Sequence, residues 1–120
     1  DDSESRGLGD VYKRQTWVYQ FNRVRDDKLA KKYGAFHGAE LPYVFDTHDE
    51  WLPTNKKDRE LTREIQSYWL SFAKTGNPNN GDAVTWPEYD SYNDPTLVLD
   101  DEIYQRNHES SEICKIMDLF

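Results

Sequence analysis

His37 is set among small residues in the stretch GAFHGAELPYVF, with Glu40 three residues on and an apolar, aromatic run behind it. An imidazole that changes charge near neutral pH can serve as a general base, as a metal ligand or as a hydrogen-bonded structural group, and a lone histidine most often serves as the last. A metal site would draw on His37, Glu40, His48 and Asp49. HGAE is not the H-E-x-x-H pattern, and no spacing presents a tetrahedral set, so neither a metal nor another cofactor is expected. A general base has other needs: a loop at the carboxyl end of a strand, freedom to turn, and a carboxylate to hold the ring. Gly34, Ala35, Gly38 and Ala39 permit the tight turns and close backbone approach of such a loop.

The flanking sequence predicts what would carry it. Thr16–Val24, TWVYQFNRV, is rich in β-branched and aromatic residues, with Trp17, Tyr19 and Phe21 on one face and Val18 on the other. That pattern predicts a strand covered on both sides, in a mixed or parallel sheet. Arg25–Lys32 reads as a charged, solvated connection, and Glu40–Phe45 as one or two helical turns. Asp46–Lys57 reads as an exposed loop with Asp46, Asp49 and Glu50 in solvent. In Asp58–Thr75 the residues Leu61, Ile65, Trp69 and Phe72, with Tyr68 beside them, form one apolar stripe of a helix. Asp58 or a nearby polar residue caps its start, and Lys74, Gly76 and Pro78 end it. Asn77–Asp82 is a turn, and Thr85–Asp90 and Thr96–Asp100 are short extended pieces. Ile113, Ile116 and Met117 predict a terminal helix within Ser110–Phe120. Trp86, Tyr89 and Tyr92 are expected to cover the sheet edge, carbohydrate stacking being the alternative. His48 and His108 lie in polar surroundings without a motif. A lone strand, a helix and scattered short strands cannot close a full core, so the segment is expected to be the end of a larger α/β domain.

The bulk numbers narrow the partners. The 120 residues carry 23 acidic against 15 basic side chains, a formal net charge of −8, which disfavours nucleic acid and anionic membrane surfaces. No apolar run is long enough to span a bilayer. A single cysteine, Cys114, cannot form a disulfide within the chain. Ser5–Gln15, SRGLGDVYKRQ, has neither a helical nor a strand period, and it resembles one translated frame of a widely used transposon-type sequencing adapter. Residues 1–15 are therefore expected to be foreign, and residues 16–120 to be the domain portion.

GAFHGAELPYVF resembles the histidine motif of the type-B carboxylesterase and cholinesterase family, a branch of the α/β-hydrolases. IQSYWLSFAKTGNPN (Ile65–Asn79) is similar to that family's signature helix and following turn, and VTWPEYD (Val84–Asp90) to its next segment. The order and spacing agree, and the resemblance covers nearly all of residues 16–120. It implies an α/β fold: the C-terminal part of an α/β-hydrolase, with a late core strand, a catalytic-histidine loop, a long amphipathic helix, short edge strands and a terminal helix, incomplete on its own. The triad of that superfamily runs Ser, then Asp or Glu, then His. No G-x-S-x-G and no glycine-rich oxyanion loop occur in the 120 residues. The resemblance thus implies that His37 is the general base, that nucleophile and acid lie upstream, and that Glu40 is a structural carboxylate accepting from backbone or a basic partner. Gly34 and Gly38 would shape the loop, and Phe36 would line a substrate pocket or pack in the core. The implied partner is a small-molecule ester, with no cofactor, and family habit leans extracytoplasmic. The chain by itself is expected to be inactive and poorly soluble. Two other readings stand beside this one: a catalytically inactive cholinesterase-like binding or adhesion domain, and a complete small binding protein.

Overall fold

A computed structural model of the chain describes residues 14–50 and 52–107. The expected terminal helix, Cys114, His108 and most of the adapter-like segment lie outside the described residues. The elements run β1 (Tyr19–Phe21), α1 (Lys28–Tyr33), α2 (Leu41–Phe45), α3 (Lys56–Thr75), β2 (Thr96–Leu99) and β3 (Tyr104–Arg106). The strands form one sheet in the order β1-β2-β3. β1 pairs parallel with β2, Tyr19 opposite Leu97, and β2 pairs antiparallel with β3, Thr96 opposite Arg106. A parallel pair needs a crossover, and the helical segment between β1 and β2 supplies it.

The strand buried throughout is β2, not β1. All four residues of TLVL are buried, whereas Tyr19 and Gln20 of β1 are exposed and Phe21 is half-buried. The cause is position: β2 has a described neighbour on either side, and β1 has one, β2 itself. A continuous apolar run with no polar alternation is the mark of a strand covered on both faces, and here that run is Leu97–Leu99. Thr85–Asp90 joins no ladder. It is held instead by the Trp86 amide on Asn79 Oδ1 (2.6 Å) and the Tyr89 amide on the Thr16 carbonyl (2.7 Å).

α3 packs on this sheet. Its buried face is Asp58, Leu61, Thr62, Ile65 and Tyr68. Leu61, Ile65 and Tyr68 form the core with Tyr43, Trp86, Leu97 and Leu99. The Tyr68 ring meets Trp86 edge-on at 5.7 Å, and burial pushes its phenol up to about 12. Trp86, expected at the sheet edge, is a core residue: it is 5 % exposed and its indole N–H donates to the Val18 carbonyl at 2.9 Å. Phe72, the last residue of the expected stripe, is half exposed. The helix starts two residues earlier than its apolar spacing suggests, because Asn55 is the N-cap. The Asn55 side chain accepts from the Asp58 amide, and the Asp58 carboxylate accepts from the Asn55 amide, a reciprocal capping box. Gly76, left-handed at φ 77°, closes the other end by donating to the Phe72 carbonyl.

Ile65 is fully buried between α3 and the sheet. Ile65→Ala is expected to cost about 2–5 kcal/mol through lost burial and the cavity left behind. Arg63→Ala, two residues away on the exposed face, should stay within about 0.5 kcal/mol. Urea unfolding of the two variants measures the difference, and equal costs would remove Ile65 from the core.

Candidate active-site loop

The segment Arg25–Lys32, expected as a solvated connection, instead ends in α1 and begins with a buried arginine. Arg25 is 9 % exposed and Arg23, two residues earlier, 3 %. Asp27 caps α1 with its carboxylate, accepting from the Leu29 and Ala30 amides at 2.9 Å each. Lys31 and Lys32 lie in the last turn, where cations suit the helix dipole. Gly34 stops the helix with φ 64°, its amide donating to the Ala30 carbonyl at 2.7 Å.

His37 then sits in a run of turns ending at Glu40, before Pro42 and the first turn of α2. The turns are closed by the Ala39 amide on Phe36 O (3.0 Å) and the Leu41 amide on Gly38 O (3.2 Å). Gly38 takes φ 83°, which a side chain would resist, although space for a Cβ exists: its nearest neighbour would be Leu41 Cδ1 at 3.7 Å. His37 is exposed, and among the described residues it makes no hydrogen bond or ion pair. Phe36, 56 % exposed, faces a cleft of about 540 Å³ shared with Phe21, Tyr33, Leu41, Tyr43 and Leu52. The histidine loop contributes Gly34, Phe36, Gly38 and Ala39 to that lining.

Glu40 does not reach His37. Its carboxylate accepts from the Tyr19 hydroxyl at 3.5 Å, a long bond to a phenol rather than to backbone or a base. Burial first and then Glu40 raise the Tyr19 hydroxyl above its ordinary value. Among the described residues no three metal-binding side chains come together, and no helix is long and apolar enough to cross a membrane.

The charged cluster that the molecule does build lies behind the loop, around Asp58, expected only as a helix cap, and around arginines expected in a strand and a solvated connection. Asp58 is fully buried. Its Oδ1 accepts from Arg23 Nε at 3.0 Å and from the Tyr43 hydroxyl at 2.7 Å, and its Oδ2 from the Asn55 amide at 2.9 Å. Burial pushes the Asp58 carboxyl up, but the Asn55 amide, Tyr43 and Arg23 outweigh it and hold it below the usual carboxylate range. Burial, with the Asp58 bond next, raises the Tyr43 phenol. Arg25 donates to Pro53 O at 2.9 Å and Thr54 Oγ1 at 3.0 Å, and its guanidinium lies 5.0 Å over the Tyr43 ring.

His48 belongs to the same cluster, although it lies in a stretch read as an exposed loop. Arg25 Nη2 can only donate, so His48 Nδ1, 2.8 Å away, accepts. Thr62 spends its hydroxyl hydrogen on the Asp58 carbonyl (2.7 Å), so His48 Nε2 donates to Thr62 Oγ1 at 2.7 Å. Both ring nitrogens are thereby assigned, and the neutral ring is the one that fits. Burial and then Arg25 hold its pKa below the ordinary value. Below a pH of about 6.5 the unfolded chain takes up a proton on this ring that the folded chain resists. Stability is therefore complete above that pH and is lost as pH falls towards the folded value. Guanidinium unfolding between pH 5 and 8 measures the slope. His48→Gln, which can accept from Arg25 and donate to Thr62 without titrating, is expected to flatten it, and an unchanged slope would exclude His48 as its source.

The period-2 alternation Trp17, Tyr19, Phe21, Arg23, Arg25 was the available signal for the buried arginines, since it puts both on the face that carries the aromatics. For Asp58 the signal was N-x-x-D ahead of an apolar stripe.

Set beside known proteins, the chain matches the model of the carboxylesterase family over residues 7–117. Para-nitrobenzyl esterase of Bacillus subtilis (strain 168) is 40 % identical over 101 residues, 80 % of this chain and 20 % of that protein. Carboxylesterase 4A of Bos taurus is 32 % identical over 75 residues, 61 % of this chain and 14 % of that protein. A solved structure of a thermophilic PNB esterase superposes with a TM-score of 0.75 at 37 % identity, over 88 % of this chain and 22 % of that one. The chain thus spans about a fifth of the length of such relatives.

Proposed function

The chain belongs to the carboxylesterase family, and from that premise we propose that it is the C-terminal portion of a serine ester hydrolase in which His37 is the general base. The observation that carries this reading is His37 itself: an exposed imidazole on a glycine-flanked turn, with no hydrogen-bond partner among the described residues. In the reaction it takes the proton from a serine hydroxyl as that oxygen attacks the ester carbonyl. It returns the proton to the oxygen of the departing alcohol, and then draws one from the water that hydrolyses the acyl-enzyme. The serine, the acid that orients the ring and the amides that stabilise the oxyanion belong to the upstream part. Glu40, engaged by Tyr19, is not that acid. The 120 residues alone, without a nucleophile, are inactive. The hydrolase portion is assigned to residues 16–120. The family match reaches back to residue 7, across the adapter-like segment, and sequencing the gene across the codons for Asp1–Trp17 decides that boundary.

The test puts residues 16–120 in place of the matching fifth of the Bacillus subtilis para-nitrobenzyl esterase. The joined protein is expected to hydrolyse p-nitrophenyl esters and to lose that activity on His37→Ala. A joined protein that melts cooperatively but turns over no ester overturns the reading and favours a cholinesterase-like binding domain.

A further inference from the structure

A general base works only if its ring is held close to the productive geometry, yet His37 makes no hydrogen bond among the described residues. Beside the upstream acid that orients the ring, what this chain offers to hold it acts on the ends of its loop, and both ends lead to one carboxylate. On the entering side, Arg23 Nε donates to Asp58 Oδ1 at 3.0 Å and Arg25 Nη1 lies 3.9 Å from Asp58 Oδ2. The Arg23 amide also donates to the Leu99 carbonyl at 3.2 Å, so this flank is fixed to the sheet as well. On the leaving side, Tyr43 in α2 donates its hydroxyl to Asp58 Oδ1 at 2.7 Å. Asp58 is itself immobilised as the third residue of α3, where its Oδ2 completes the capping box with Asn55. It is fully buried, so these charge-assisted bonds are little weakened by water.

We propose that Asp58 is a positioning residue for His37: a single buried carboxylate on α3 ties down both flanks of the loop that presents the imidazole. The assignment rests on reading His37 as the general base. The two flanks differ in what they lose when a tether goes. Removing the Tyr43 hydroxyl frees only the leaving flank, because Arg23 still holds the entering one. Removing the Asp58 charge loosens both, the entering flank less, because the Leu99 carbonyl still holds the Arg23 amide. A carboxylate that served the fold alone would instead loosen α3 and the loop together.

Amide hydrogen exchange on the joined protein separates these cases. In Tyr43→Phe, the Ala39, Leu41 and Val44 amides, bonded in the native turns, are expected to exchange about tenfold faster, the fold-change for losing one hydrogen bond to a charged group. The α3 amides from Leu61 to Tyr68 and the Lys31 and Gly34 amides of the entering flank should change less than about twofold. In Asp58→Asn the acceleration is expected on both flanks. If Asp58→Asn does not fold, Tyr43→Phe decides alone. Unchanged loop exchange in Tyr43→Phe, or equal acceleration in α3, overturns the proposal. This readout needs no turnover, so it stands or falls separately from the esterase reading. In the joined esterase, Tyr43→Phe is expected to lower kcat with KM unchanged, and an unaltered kcat beside a loosened loop would likewise overturn it.

Discussion

Replacing His37 by alanine in the joined esterase is expected to lower kcat/KM for a p-nitrophenyl ester on the order of 10⁴-fold or more, the scale of losing a triad member. The same substitution should leave stability within about 0.5 kcal/mol, because surface side chains without special contacts contribute little. His37 is such a side chain: it is exposed and makes no bond among the described residues. The pairing of a large kinetic loss with a negligible thermodynamic one is what separates a base from a loop-shaping histidine. His37→Gln sharpens the comparison, since an amide keeps polarity and reach but cannot accept a proton near neutral pH. It should be as inactive as the alanine variant. Steady-state kinetics and urea unfolding on the same preparations check both halves. A loss below about tenfold would mean that the proton is moved by another group, since general-base catalysis alone is worth about 10²–10⁴.

What could be read from the chain beforehand follows what a one-dimensional pattern encodes. The 3.6-residue period of Leu61, Ile65 and Tyr68 located α3, because one amphipathic face is a local property. Gly34 and Gly38 marked the turns around His37, because only their backbone freedom suits φ of 64° and 83°. Trp86 was misplaced because a tryptophan between turn residues has no period, and its burial depends on Tyr68, Trp69 and the Val18 carbonyl arriving from elsewhere. The Asp58 cluster was missed for a related reason. Arg23 and Asp58 are 35 residues apart, Arg25 and His48 are 23 apart, and each looks like an ordinary polar surface residue until its partner is known. Charge at these positions signals solvent by default, and only partnership makes burial tolerable.

That partnership makes Arg23 a costly side chain to remove. Its side chain is 2 % exposed and reaches three carboxylates with three different nitrogens: Nε to Asp58 at 3.0 Å, Nη1 to Asp101 at 2.7 Å and Nη2 to Asp26 at 3.4 Å. Asp101 and Asp26 are 44 % and 52 % exposed, so water can take over their solvation if the arginine is lost. Asp58 has no such recourse, since its side chain is 0 % exposed. Arg23→Ala is therefore expected to cost about 3 kcal/mol, the low end of the range for breaking a buried pair, because Arg25 Nη1 remains 3.9 Å from Asp58 Oδ2. That is a large share of the ~5–15 kcal/mol that holds a folded domain together. Lys56 and Glu60 make a useful contrast, because their pair sits in solvent at 90 % and 53 % exposure. Breaking it should cost no more than about 0.5 kcal/mol. Arg23→Lys keeps the charge but has one nitrogen where the site uses three directions, so it should fall between wild type and alanine. The pH dependence identifies the carboxylate at fault. Asp58 is held below its ordinary value, so its contribution is complete above about pH 3.9, the unfolded value, and is lost as pH falls through the folded one. The penalty of Arg23→Ala should shrink over that same acid range, because a protonated Asp58 no longer needs the guanidinium. Urea unfolding of wild type, Arg23→Ala and Arg23→Lys at neutral pH and at about pH 3 gives the comparison. A penalty that does not diminish in acid would mean that Arg23 stabilises the fold through packing of its stem rather than through Asp58.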